Sequence, residues 1–175
     1  MRHYPPPQRK MRRMKPPART LSPLDLDTLA AQAKASPRRR ANFNLHPELA
    51  DPVQRLAIAM EPDTVVLPHR HPQSFELLYA LRGRFVVLHF DDAGVVTLRS
   101  VLGEDCVMVE TPANTWHAVL SLDSGGVIFE VKQGPYVQAQ GGDTAPWSRG
   151  KKPGYDAALL KCYAHSIPGN SFSLD

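Results

Sequence analysis

Residues 63–83 read DTVVLPHRHPQSFELLYALRG, and the fold hangs on how this stretch is divided. The segment 65–71 is β-branched and apolar with a period of two, so it is expected to be a strand with Leu67, His69 and His71 on one face. Pro72, Gln73 and Ser74 break it. The run 75–81 then starts a second strand, with Glu76, Leu78 and Ala80 on a common face. If that face is the interior, Glu76 returns beside the two imidazoles. A third imidazole, His117, closes the segment 112–117 after a proline turn.

Buried imidazoles and carboxylates are costly unless something satisfies them, and a cation does this better than packing. His69, His71, Glu76 and His117 are therefore the expected metal ligands. Three neutral imidazoles and one carboxylate leave a divalent cation a net charge near +1 and, at six coordination, about two open positions. A His-x-His pair on a strand can instead face solvent, and a histidine after a turn carries little by itself. The two halves together, with Gly83 closing a hairpin, point to metal binding.

Outward from this stretch the chain reads as consecutive strands, expected at 53–60, 64–71, 75–81, 85–90, 95–102, 107–109, 116–122 and 126–132. Turn chemistry lies between them at Arg82-Gly83, at 91–94, at 112–114 and at 124–126. Many short strands joined by tight turns argue for an all-β sandwich or barrel. Pro23 opens a short helix running to about Ala35, with Leu26, Leu29, Ala30 and Ala33 at helical spacing, and Ser36-Pro37 stops it. Arg38, Arg39 and Arg40 follow. They read as a solvated linker or as guanidinium forks for an acidic substrate at the barrel mouth.

These residues resemble the cupin superfamily. His69, His71, Glu76 and Gly83 match its first motif, with Asp63 where a leading glycine stands; Pro112 and His117 match its second. Cys106, Asn114 and Ser121 replace that motif's first glycine, second glycine and asparagine. Asn is the non-glycine residue that best tolerates a left-handed backbone, so Asn114 can keep the turn. The resemblance implies a single-domain jelly-roll β-barrel and the same four-residue ligand set. A narrower likeness spans about residues 24–137. It is carried by 36–42, Asn44-Leu45-His46, 69–72, 81–84, 90–92 and 129–132, which are similar to the WbuC family of cupin-fold metalloproteins. That family is associated with bacterial surface-polysaccharide gene clusters.

The chain has 175 residues, 42% of them hydrophobic and 7% aromatic, enough for one core of ordinary size. Its formal charge of +4 comes from one end. Residues 1–19 hold 7 of the 21 basic residues and no acid, which leaves 14 against 17 acidic ones, a balance of −3. This proline-rich arm is expected to stay extended and solvated, or to reflect a start upstream of Met11 or Met14. A nucleic-acid contact is the less expected reading. No apolar stretch approaches the roughly 20 residues of a membrane span, and no secretory signal follows the basic start, so a cytoplasmic protein is expected. Cys106 and Cys162 match no zinc spacing and read as free thiols, with Cys106 packed in a core or turn.

The expected organisation is a basic arm at 1–19, a helix and linker at 20–48, a barrel at 49–132 and a C-terminal extension at 133–175. The extension carries a short helix at 155–164 and wraps the barrel or a second subunit, anchored by Trp147 and Tyr155. Homodimerisation and a small-molecule ligand are expected. Nitrogen and oxygen donors suit Fe, Mn, Ni, Co or Zn, with iron or manganese for oxygen chemistry and zinc for a resting protein. Three function classes follow: a metal-dependent enzyme, an oxygenase or isomerase, on a sugar-like substrate; a metal- and ligand-binding module without chemistry; and a scaffold with a vestigial site. No catalytic residue is assignable. Arg84, Tyr79, Glu110, Glu130 and Lys132 are the residues from which an acid, a base or an anchor would come, and strand polarity turns Tyr79 away from Glu76.

Overall fold

The structure is a computed structural model that describes residues 17–138, 140–148, 150 and 152–172. Most of the basic arm, with Met11 and Met14, lies outside the described residues. Among the described residues eight strands form two antiparallel sheets. They are β1 (Arg40–Asn44), β2 (Val53–Met60), β3 (Glu76–Arg82), β4 (Phe85–Phe90), β5 (Val96–Leu102), β6 (Met108–Thr111), β7 (Trp116–Ser121) and β8 (Gly126–Gln133). The larger sheet runs β1-β2-β8-β3-β6 and the smaller β5-β4-β7. The chain crosses between them repeatedly, which makes an all-β jelly-roll sandwich.

Two helices cover the outer faces. Helix α1 (Pro23–Ala35) begins with Pro23 in its first turn and a capping box. The Asp25 N–H donates to Ser22 Oγ (3.2 Å) and the Ser22 N–H to Asp25 Oδ2 (2.7 Å), so two otherwise orphaned donors are satisfied. Its buried Leu29 and Ala33 pack on Ala57, Ala59 and Val127 of the larger sheet. Small side chains on the strands let the helix approach closely. Helix α2 (Tyr155–His165) buries Leu159 and Tyr163 on the outer face of the smaller sheet, against Val86, Leu88, Ala118 and Leu120. Trp147 and Tyr155 join this cluster, so the C-terminal extension wraps its own barrel through both aromatic residues named as anchors.

That covering explains why β4 and β7 are buried at every position rather than at alternate ones. One set of side chains (Val86, Leu88, Phe90) meets α2 and the extension. The other (Phe85, Val87) meets Met60, Leu78 and Ile128 between the sheets. The interior is apolar at this end and polar at the other, where the histidines lie.

Two expectations need correction, and one feature is new. The segment expected as a strand at 64–71 makes only an isolated bridge at His69, to His117 on one side and Thr144 on the other. Pro68 lies next to the bridge and has no N–H to extend the ladder, though its carbonyl accepts from Ala145 (2.8 Å). The run read as a linker contains β1, which pairs with β2 from Arg40↔Met60 to Asn44↔Leu56. Arg40, Asn42 and Asn44 hid it, because polar residues on an inward face break the apolar alternation by which strands are recognised. Short 3-10 turns at Gly141–Asp143 and Pro146–Ser148 were not expected. Among the described residues no helix is long and apolar enough to cross a membrane.

Candidate metal centre

His69 and His117 face each other across two backbone hydrogen bonds. The His69 N–H donates to the His117 carbonyl (2.9 Å) and the His117 N–H to the His69 carbonyl (2.8 Å). Directly opposed residues point to the same side of a sheet, so the two rings meet, with centroids 4.4 Å apart. A third bond, from the Asn114 N–H to the His71 carbonyl (2.8 Å), ties the turn before β7 to the His-x-His segment. Asn114 has φ 62°, the left-handed conformation expected of it in place of glycine.

The ring orientations are set from behind. His69 Nδ1 lies 3.0 Å from the Leu67 carbonyl and His117 Nδ1 2.8 Å from the Thr115 carbonyl. A carbonyl can only accept, so Nδ1 carries the hydrogen in both rings and Nε2 is left as the atom that could bind an ion. Both bonds reach two residues back along an extended chain, so one local device recurs in both halves of the site. Glu76, the first residue of β3, is buried on the interior face and comes within 2.9 Å of His71 Nε2 and 3.4 Å of His117 Nε2.

One donor atom from each of His69, His71, Glu76 and His117 lies within 4.8 Å of all the others. His117 Nε2 is buried without a hydrogen-bond partner; Glu76 is close enough to feel its charge but not aligned to bond it. An orphaned, inward-facing imidazole nitrogen beside two more imidazoles and a carboxylate is the donor set a divalent cation needs, and the residues present fit one.

The electrostatics show what the cluster does with protons alone. Burial drives the His69 pKa down to about 3, helped by the neighbouring charge of His117. Burial also disfavours charge on His117 and Glu76, yet their mutual attraction outweighs it, raising His117 and holding Glu76 well below the carboxylate range. A proton on His117 therefore stands where a cation would draw the same carboxylate.

The site opens into a cavity of about 480 Å³ between the sheets. Leu56, Ile58, Met60, Leu78, Val119 and Ile128 form its apolar wall. On β8, two positions on, stand Glu130 and Lys132. Lys132 Nζ is 2.6 Å from Glu130 Oε1, without hydrogen-bond alignment, and 4.0 Å from Glu76 Oε2. Burial and the charge of Glu76 raise the Glu130 pKa despite Lys132.

Of the five side chains named as sources of an acid, a base or an anchor, Glu130 and Lys132 reach the cavity. Arg84 is held instead by Asp123 (2.9 Å) and Glu104 (3.2 Å) beside the hairpin at Gly83. Tyr79 is 40% exposed on the outer face, as strand polarity required, and Glu110 is exposed on β6. Cys106 packs among apolar side chains between the sheets and stands outside the ligand cluster. Arg39 turns to Asp63 (2.9 Å), whereas Arg38 and Arg40 line the cavity.

Sequence reasoning missed His89 and left His46 without a role. His89 lies opposite His117 in the β4-β7 register, with Nε2 3.0 Å from Thr111 Oγ1. Burial, and then the charge of His117, lower its pKa to about 4. The period of two through Phe85, Val87 and His89 is the signal that would have found it. His46 lines the cavity, and its Nε2 is buried without a partner.

These features define a jelly-roll protein whose interior histidine and glutamate cluster can hold a metal ion. A family model described as "Domain of unknown function (DUF6016)" matches residues 21–102, which include β1 and three of the four cluster residues. Among solved structures the chain is similar to KdgF from Halomonas sp., with 14% identity, 56% of this chain and 82% of that one covered, and a TM-score of 0.45. It is also similar to the TT1209 protein of Thermus thermophilus, with 21% identity, 62% and 93% coverage, and a TM-score of 0.47. A third is a sugar phosphate isomerase described as from a cupin superfamily, from Silicibacter pomeroyi, with 16% identity, 54% and 59% coverage, and a TM-score of 0.42. No curated protein sequence matches the chain.

Proposed function

We propose that the chain is a cupin-type metalloenzyme that holds one divalent cation at His69, His71, Glu76 and His117 and acts on a small polar, carbohydrate-like substrate in the adjoining cavity. The observation that carries the reading is the convergence of four donor atoms within 4.8 Å, two of them on rings whose Nδ1 atoms are fixed by backbone carbonyls. A bound cation there supplies Lewis acidity to a substrate oxygen. Iron, manganese, zinc, nickel and cobalt all suit three nitrogens and one oxygen.

Glu130 and Lys132 favour an enzyme over a module that merely binds. Burial and the charge of Glu76 raise the pKa of the Glu130 carboxyl, the direction a proton-carrying group needs, and the Lys132 ammonium 2.6 Å away stabilises its anion. In this reading Glu130 is the proton donor and acceptor for the bound substrate, and Lys132 positions it. Glu130→Gln should lower turnover by about 10²- to 10⁴-fold while metal content is kept.

Elemental analysis of the wild type beside His71→Ala and His117→Ala tests the site before any substrate is known. One ion per chain in the wild type and strong loss in both variants is the expected result; no stoichiometric metal, or unchanged content in the variants, sinks the reading. Incubating metal-loaded protein with sugars and sugar acids, with product formation and oxygen uptake followed, then separates the two classes. Tight binding of one compound without turnover would leave a binding module.

The resemblance to the WbuC family supports a cytoplasmic role linked to surface-polysaccharide metabolism, and altered surface polysaccharide in a deletion strain would test it. A homodimer is part of the same reading. It is supported by edge strand β6, where Met108, opposite Tyr79, is 49% exposed and Val107, just before the strand, is 66% exposed. Sedimentation giving a monomer at micromolar concentration would remove it.

A further inference from the structure

The cavity has a second polar region, away from the ligand cluster and built on the strand that the sequence pattern concealed. In the β1-β2 register Arg40 lies opposite Met60, Asn42 opposite Ile58 and Asn44 opposite Leu56. Met60, Ile58 and Leu56 line the cavity, so the β1 residues share that face, and Arg38 continues it at the rim. Arg40 is half-buried. Among the described residues neither Arg38 nor Arg40 has a carboxylate within 4 Å, and burial with the charge of Arg38 lowers the Arg40 pKa, which only the more distant Glu130 opposes. Glu130 is itself paired with Lys132. Two guanidinium groups on one wall, one of them partly desolvated, lack a counter-charge.

His46 adds a donor to the same wall. His46 Nδ1 lies 3.0 Å from both the backbone nitrogen and the carbonyl oxygen of Arg55, and that carbonyl also accepts the Leu45 N–H (2.8 Å). The Arg55 N–H can donate to Nδ1 only when the ring hydrogen is on Nε2, and in that tautomer the buried Nε2–H, which has no partner, is a donor at the cavity.

We propose that Arg38, Arg40 and His46 form an oxyanion subsite that holds a carboxylate or phosphate group of the substrate, so that the protein acts on an acidic or phosphorylated small molecule rather than a neutral sugar. Guanidinium forks and an imidazole N–H match the planar or tetrahedral oxygens of such groups. The proposal rests on the metalloenzyme reading only in taking this cavity as the substrate site.

Calorimetry on zinc-loaded and metal-free full-length protein with glucose, glucuronate and glucose 6-phosphate tests it. At least one anion should bind tenfold or more tightly than glucose, and which one identifies the group. Arg40→Met and Arg38→Met should each remove most of that preference with zinc content and melting temperature unchanged. His46→Leu should weaken the anion about tenfold, and His46→Gln, which keeps a donor, should recover part of it. Equal binding of all three compounds, no detectable anion binding, or unchanged affinity in folded arginine variants overturns the subsite. Arg40-dependent anion binding in a protein that takes up no zinc would keep the subsite and discard the metal reading; zinc uptake without anion preference does the reverse.

Discussion

Asn114 shows how much a single backbone conformation contributes to the site. Its φ of 62° turns the chain so that its own N–H reaches His71 and, three residues on, His117 enters β7 opposite His69. Asn114→Gly should be neutral, while Asn114→Val should lose about 1–2 kcal/mol from left-handed strain and weaken metal uptake, read by thermal melting and metal titration. Protonation of the ligands gives a second expectation. In the metal-free protein His117 holds its proton to a higher pH than an ordinary imidazole, so a cation must displace that proton. Metal affinity should rise with pH across and above the ordinary imidazole range, with proton release on binding. His69 contributes in the opposite sense to stability. Its folded pKa of about 3 lies below the ordinary 6.5, so its contribution to metal-free stability is present above pH 6.5 and lost as pH falls toward 3. Metal-binding calorimetry in buffers of different ionisation heat, and acid unfolding curves, check the two. Full metal occupancy in strong acid would contradict a histidine-based centre.

Strands β2 and β4 were legible at their limits because each is mostly apolar, with runs at 56–60 and 85–88, and each ends at turn residues, and α1 because Ser22, Pro23 and Asp25 spell out its start. Ser22→Ala should lower stability by about 1 kcal/mol in denaturant titration without changing metal content, since the helix lies on the far face of the larger sheet. What escaped reading was polar or tertiary in origin. β1 carries its chemistry inward, so arginine and asparagine stand where an apolar side chain would have revealed a strand. The His-x-His segment had the alternation of a strand but its neighbours, β7 and the chain around Thr144, come from far along the sequence, and Pro68 confines the pairing to one residue. The four residues of the cluster were legible from type and spacing. The cavity's second polar region was only half visible: Arg38 and Arg40 stood out as a charge run, but nothing in their spacing showed which guanidinium groups turn inward.

The whole molecule is layered as helix, sheet, interior, sheet, helix, and the site occupies one end of the interior between apolar packing and open cavity. A cation that binds the folded chain alone should raise the melting temperature in proportion to the logarithm of its free concentration; at 100 times the dissociation constant the gain is about 2.7 kcal/mol. Differential scanning calorimetry across a zinc series with a chelator control measures it, and a flat response would mean that the ion is not linked to folding. The mutual bonding of His69 and His117 carries one more consequence. A slip of one residue between those two segments would throw one imidazole to the opposite side of the sheet and scatter the donors. On the proposed metal reading, capture of an ion would therefore check correct alignment: chains that have paired wrongly would have nothing to offer it, and uptake during refolding should trail the formation of the sandwich rather than lead it.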